Sequence, residues 1–317
     1  MIPGAVGLLK KVYARLSRIG HRVLDRGVPL HRDEPCKPFF IVGSGRSGTT
    51  LLRRILEANP SVHIPPENWV FGEVFRTFQK CRRTLSWEHL VTLVIGIFEN
   101  QGIFESWFEG PLRPLVRELR EVPPEKRSLA YIIDTLYRYH ACTLGRSPVR
   151  WGDKTPYNVY SMNEIIAIFP EARFVNLIRD GVDVVSSMLN ARLAKSLSSA
   201  AARWKNSILH ARRFAQKHPG ACIDIRYEDL AREPYKTTDA VCRFLSISYS
   251  PEMVESLEHS ASMRDIQLFD HLRNAGRRVN DDSIGQGLKT LSGEQKQRLL
   301  DLIGPQLKEL GYLASRQ

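Results

Sequence analysis

The stretch Phe39-Phe40-Ile41-Val42-Gly43-Ser44-Gly45-Arg46-Ser47-Gly48-Thr49-Thr50-Leu51-Leu52 decides how this chain is read. Four apolar residues precede Gly43, the short uninterrupted run of a strand covered on both faces in a parallel sheet. Gly43, Gly45 and Gly48 open backbone conformations closed to other residues and let a ligand approach the main chain. Beyond them Leu51, Leu52, Ile55 and Leu56 form one stripe, with Arg53, Arg54 and Glu57 on the other face, the pattern of an amphipathic helix. The first amides of that helix point into the glycine turn, and such an arrangement of N–H groups holds anions. The segment reads as a strand, a phosphate-gripping loop and a helix. A glycine-rich turn with no ligand is the plainer alternative, and the arginine and hydroxyl residues crowded into the loop weigh against it.

The spacing from Gly43 to Gly48 matches the triphosphate loop G-x-x-x-x-G-K-[ST], but Thr49 stands where that loop has its lysine. A kinase uses the lysine on the β- and γ-phosphates and the next hydroxyl on magnesium. Here the cation, Arg46, lies inside the loop, and Thr49 and Thr50 follow the last glycine. Gly43 to Thr50 reads G-x-x-R-S-G-T-T. It resembles the 5′-phosphosulfate loop of sulfotransferases that use 3′-phosphoadenosine 5′-phosphosulfate (PAPS), in their bacterial and tyrosylprotein-type branch. The resemblance implies an α/β fold: a P-loop three-layer architecture with a central, mostly parallel sheet and a helical insertion covering the substrate. It implies that Gly45, Arg46, Ser47, Gly48, Thr49 and Thr50 grip the 5′ end of the nucleotide.

Further elements extend the resemblance over roughly residues 38–312. Asn59-Pro60 ends the first helix, and Val62 to Ile64 reads as a short strand. Pro65-Pro66 forms a stiff exit carrying Glu67, which the resemblance makes the base toward the acceptor. A surface carboxylate beside a turn is the competing reading. Trp151-Gly152-Asp153-Lys154-Thr155-Pro156 reads as a strand end and a helix start, with Thr155 as N-cap and Pro156 in the first helical position. The resemblance turns Lys154 toward the sulfuryl group, with Asp153 as a candidate for orienting it. The helix from Tyr157 to Phe169 leads to a second buried strand, Arg173 to Ile178, with Arg179 at its carboxyl end. In relatives an arginine there, with a serine eight residues on, binds the 3′-phosphate, and Arg179 and Ser187 have that separation. A guanidinium fork grips phosphate bidentately, and a hydroxyl adds one donor. Arg226-Tyr227-Glu228-Asp229-Leu230 matches a further family element, whose tyrosine lies near the adenine. A packed Tyr-Glu-Asp helix cap is an equal alternative for Tyr227. In the basic, glycine-broken segment 271–291, Arg278 is a candidate for the 3′-phosphate site. One departure stands out: Leu51 occupies the position of the aromatic that stacks adenine in cytosolic relatives, so no stacking residue is assigned.

Composition sets the outer bounds. The 317 residues suffice for one large α/β domain or two small ones, and 43% apolar with 25% charged residues is ordinary for a globular protein. The net charge of +12 suits polyanions. The arginines are scattered rather than interleaved with aromatics and no nucleic-acid motif is present, which favours a nucleotide or an anionic membrane over nucleic acid. Five cysteines without metal-ligand or redox spacing point to a reducing compartment, and cytoplasmic localisation is the expectation. Residues 1–35 read as a basic N-terminal extension and residues 36–317 as the sulfotransferase domain, with the insertion at about 69–147. Met1 to Leu9 is too short to span a membrane. The basic amphipathic pattern that follows suits either peripheral contact with the inner membrane surface or simple packing as an extension. Ser292 with Gln295 marks a capping box for a last helix ending near Gly311.

The reaction the resemblance implies is in-line transfer of a sulfuryl group from PAPS to a hydroxyl acceptor, with Glu67, Arg46 and Lys154 as its catalytic groups. The sulfuryl group carries less charge than a γ-phosphoryl group, so no metal is called for. A small-molecule kinase of the P-loop class and a non-catalytic nucleotide binder are the alternatives. The acceptor, a small molecule, lipid, glycan or peptide, is not legible, nor is the oligomeric state.

Overall fold

A computed structural model describes residues 27–33, 36–102, 104, 107–108, 110–256 and 280–313. The N-terminal amphipathic pattern up to residue 26 and Arg278 lie outside these residues. The described strands are β1 (Phe39–Gly43), β2 (Val62–His63), β3 (Arg150–Lys154), β4 (Arg173–Ile178) and β5 (Cys222–Arg226). They form one five-stranded sheet in the order β2-β3-β1-β4-β5, and every pairing is parallel. The apolar run of β1 places it in the middle. Phe40 and Val42 enter one core cluster with Phe71, Trp151 and Phe174, whereas Phe39 and Ile41 enter another with Leu52, Ile55, Val241 and Leu245. Alternate residues of one strand thus bury both faces, as a sheet with helices on either side requires.

One face carries α1 (Thr49–Glu57) and α10 (Pro234–Leu245). The opposite face carries the helices that follow β2: α2 (Phe71–Cys81), α3 (Trp87–Glu99), α4 (Arg113–Arg120) and α5 (Leu129–Thr143). These, with α6 (Met162–Ile168), bury Phe71, Phe78, Trp87, Phe98 and Trp107, so the aromatic richness of this stretch is mostly core. A third cluster joins α7 (Gly181–Asn190) to α8 (Leu197–Lys217) and to the C-terminal α13 (Gly293–Glu309) through Val185, Trp204 and Ile303. The last helix opens with the expected reciprocal capping box of Ser292 and Gln295. The short α9 (Tyr227–Arg232), α11 (Glu252–Glu255) and α12 (Gln286–Thr290) complete the described helices.

Two local expectations are corrected. The helix read as running from Tyr157 to Phe169 is broken into a 3₁₀ turn, Pro156–Tyr160, and α6. Thr155 stands at the N-cap position but makes no capping bond with its side chain; its hydroxyl instead accepts the backbone N–H of Asn68 at 2.9 Å. Because all strands run the same way, Gly43, Lys154, Arg179 and Tyr227 emerge at one edge of the sheet, the edge where open parallel α/β sheets bind ligands.

Candidate active site

The loop after β1 turns so tightly that two of its glycines are obligatory. Gly43 has φ +145° and Gly48 φ +90°, and a Cβ at Gly48 would collide with the ring of Tyr227. Arg46 adopts the left-handed conformation (φ 71°), costly for a residue with a side chain and the kind of local strain that collects at ligand-holding turns. The first amides of α1 have no carbonyl partner within the helix and open into this loop. Among the described residues, Ser47 Oγ and Arg179 Nε are buried side-chain atoms without a hydrogen-bond partner.

Arg46, Arg179 and Ser187 come together from three elements. Arg46 Nε donates to Ser187 Oγ at 3.1 Å, and Arg179 Nη1 donates to the carbonyl of Arg46 at 3.3 Å. Burial lowers the Arg46 guanidinium pKa below its ordinary value, and the neighbouring Arg179 charge lowers it further. Two cations held this close fit an anion between or beside them, since a phosphate offsets both their repulsion and their desolvation. Arg179 is fixed from three further sides. Its guanidinium lies 4.4 Å from the Tyr227 ring centroid, Nη2 donates to the carbonyl of Ser283 at 2.5 Å, and Asp183 stands 3.7 Å away. Asp183 also accepts the amides of Gly285 and Gly287 at 2.8 and 2.7 Å. Tyr227 OH and Ser283 Oγ are 2.5 Å apart, so Tyr227 packs between the glycine loop and the strand-end arginine.

On the other side of the loop lies an opposite-charge pair. The fully buried ammonium of Lys154 donates to the Glu67 carboxylate, and to Thr50 Oγ1 at 3.3 Å. Glu67 retains 22% of its side-chain exposure and Lys154 none, so only the carboxylate is open to an incoming group. The expectation that Asp153 orients Lys154 is overturned. Successive strand residues point to opposite faces, and Asp153 lies beneath the sheet side that carries α5. There it accepts Tyr137 OH and Asn68 Nδ2 at Oδ2 (2.8 and 2.7 Å) and Asn158 Nδ2 at Oδ1 (2.7 Å). Sequence reasoning passed over Asn68 and Tyr137: a single asparagine has no pattern, and Tyr137 reads as one more apolar position of a helix. Among the described residues no group of three or more His, Cys, Asp and Glu side chains is arranged to hold a metal ion.

This geometry agrees with the relatives of the chain. The sulfotransferase family model matches residues 38–251, and the chain belongs to that family. A putative protein-tyrosine sulfotransferase of Caenorhabditis briggsae is 26% identical over 86% of this chain and 88% of its own length. Protein-tyrosine sulfotransferase 1 of Danio rerio is 23% identical over 96% of this chain and 79% of its own. The sulfotransferase domain of the Synechococcus PCC 7002 olefin synthase shares the fold, with a TM-score of 0.58 and 18% identity over 86% of this chain and 97% of that domain. The protein is accordingly a PAPS-dependent sulfotransferase acting on a hydroxyl-bearing acceptor. The buried Ser47 hydroxyl, the Arg179 Nε and the paired cations fit a nucleotide bearing an anionic group at each end of its ribose.

Proposed function

We propose that the acceptor is a hydroxyl carried by a polypeptide, a tyrosyl side chain in first place, and that Glu67 is the base that deprotonates it. The names of the relatives support the acceptor class. The observation carrying the catalytic assignment is the Glu67–Lys154–Thr50 chain, which links the one exposed carboxylate of the pair to the phosphate loop. When bound, PAPS supplies the sulfuryl group and a phosphate leaving group. Arg46 and the free amides at the start of α1 face the charge that grows on the leaving side. Arg179 and Ser187 hold the 3′-phosphate, which fixes the donor for an in-line approach. Lys154 holds Glu67 in place, and its buried positive charge acts on the transferring group without touching it.

The test is transfer of labelled sulfate from PAPS to tyrosine-containing peptides, side by side with simple phenols and sugars. Glu67→Gln is expected to lower kcat by about 10²- to 10⁴-fold, the worth of one general base. Binding of adenosine 3′,5′-bisphosphate, titrated calorimetrically without magnesium, should remain unchanged. Full turnover in Glu67→Gln would remove that residue from the chemistry, and transfer to phenols or sugars with none to peptides would remove the polypeptide acceptor.

A further inference from the structure

The base-carrying segment has a weakness. The β2–β3 ladder pairs Val62 with Arg150 and His63 with Trp151 and goes no further. Pro65 and Pro66 follow, and proline has no N–H with which to continue it. Glu67 therefore sits beyond the last rung, on a stretch the sheet does not hold. Asn68, fully buried, takes over. Its backbone N–H donates to Thr155 Oγ1 at 2.9 Å, and its amide donates to Asp153 Oδ2 at 2.7 Å and to Tyr137 OH at 2.6 Å. Glu67 immediately precedes Asn68, and Lys154 lies between Asp153 and Thr155. Two of the three residues that bind Asn68 thus flank the lysine that binds Glu67.

We propose that Asn68, Asp153 and Tyr137 form a positioning clamp that sets the Glu67 carboxylate against Lys154 and the phosphate loop. This rests on the reading of Glu67 as the base. The donors of the clamp converge on one carboxylate: Asp153 collects the amides of Asn68 and Asn158 and the Tyr137 hydroxyl, and Thr155 adds another bond, whereas Asn68 Oδ1 is buried without a partner. Burial pushes the Asp153 carboxyl up to about 6 in spite of these donors, and Glu67 adds to the rise. Burial, then Asp153, raises Tyr137 well above the ordinary phenol value, so it stays a donor. None of the three is placed to touch substrate; they act through Glu67. Side-chain bonds here do what rungs of the sheet do elsewhere, and they leave the Glu67 side chain open on its other side.

The experiment compares Asn68→Ala, Tyr137→Phe, Glu67→Gln and the double variant Glu67→Gln/Asn68→Ala in the full-length chain. Displacement of a reacting group by an ångström costs about 10²-fold, so Asn68→Ala is expected to lower kcat by about that factor. The affinity for adenosine 3′,5′-bisphosphate should not change. Tyr137→Phe, which removes a single oxygen and keeps the fold, should lower kcat in the same direction by less. A group acting only through Glu67 loses its effect once Glu67 is gone, so the double variant should be no slower than Glu67→Gln alone. Multiplying losses in the double variant, or normal kcat in both Asn68→Ala and Tyr137→Phe while Glu67→Gln is inactive, would overturn the clamp. Full activity of Glu67→Gln would instead overturn the reading of the base on which it rests.

Discussion

The two ends of the proposed site, one for the nucleotide and one for the acceptor, are built on opposite electrostatic plans. At the nucleotide end Arg46 and Arg179 are like charges drawn together by a serine hydroxyl and a backbone carbonyl, on a loop in left-handed conformations. At the acceptor end Glu67 and Lys154 neutralise one another, and the segment behind them is tied down by Asn68 and Asp153. The first end is incomplete by itself and gains from an anion. The second is complete by itself and needs only to be approached. Charge that a ligand must balance is placed on the loop, and charge that must be in position before the reaction is placed against the sheet.

The largest expected effect that would break this contrast comes from Gly48→Ala. The new methyl must displace the Tyr227 ring, which lies on the Arg179 guanidinium, and φ +90° strains it besides. Binding of adenosine 3′,5′-bisphosphate should weaken by about 100-fold or more, the worth of two charged hydrogen bonds, and denaturant unfolding should show a loss of about 1–3 kcal/mol. Unchanged calorimetric affinity would mean that the loop and the strand-end arginine are not one unit.

Arg46→Gly sharpens the comparison. It removes a donor to the ligand, so nucleotide affinity should fall by about 10- to 100-fold. It also relieves the repulsion from Arg179 and the strain of φ 71°. Against that stands the entropy of glycine, about 0.5–1 kcal/mol. The ligand-free melting temperature is therefore expected to stay close to that of the parent chain. A marked drop would show that the nucleotide end contributes to stability without its ligand.

The smallest effect concerns the anchorage of β2. His63 Nε2 and His140 Nδ1 meet at 2.7 Å, beside Arg53, Glu57 and Arg146. Burial first, then nearby positive charge, lowers His63 to about 3 and His140 to about 4. The unfolded chain binds these protons at the ordinary histidine value, so the contribution to stability is complete above pH 6.5 and is lost as pH falls toward 4. Asp153, raised from 3.8 to about 6, works in the other direction: its contribution is present below 3.8 and lost as pH rises through 6. His140→Gln should flatten the acid decline by at most about 1.4 kcal/mol per pH unit. Urea unfolding at several pH values reads this slope, and an unchanged slope would show that His140 does not titrate with folding.

What was legible in the sequence follows this division. The loop was readable as a local pattern of strand, glycine turn and helix, and Arg179 and Ser187 through the family resemblance that gives their eight-residue separation a meaning. The tight turn also explains Tyr227, although its contact with Gly48 joins residues far apart and only the fold reveals it. Glu67 and Lys154 were readable through family resemblance, since no period connects residues on separate strands. Asp153 was misplaced for a reason the sequence contained: neighbours on a strand face opposite ways, so it had to point away from Lys154. Asn68, Tyr137 and the histidine pair were missed because side-chain networks of buried polar groups leave no trace in composition or spacing. The break at Ser161 was masked by a continuous run of helix-compatible residues.

The paired prolines have one more consequence. Among the described residues β2 is a border strand of only two residues; the Ile64 amide after it donates to Glu57 Oε1 at 3.4 Å, and Pro65 and Pro66 have no amide hydrogen to offer a visiting chain. A polypeptide reaching this flank cannot add itself as a sixth strand there. For the proposed polypeptide acceptor, recognition at this flank then rests on side groups rather than on an added strand, so that an exposed residue on a curved or looped segment can come within reach.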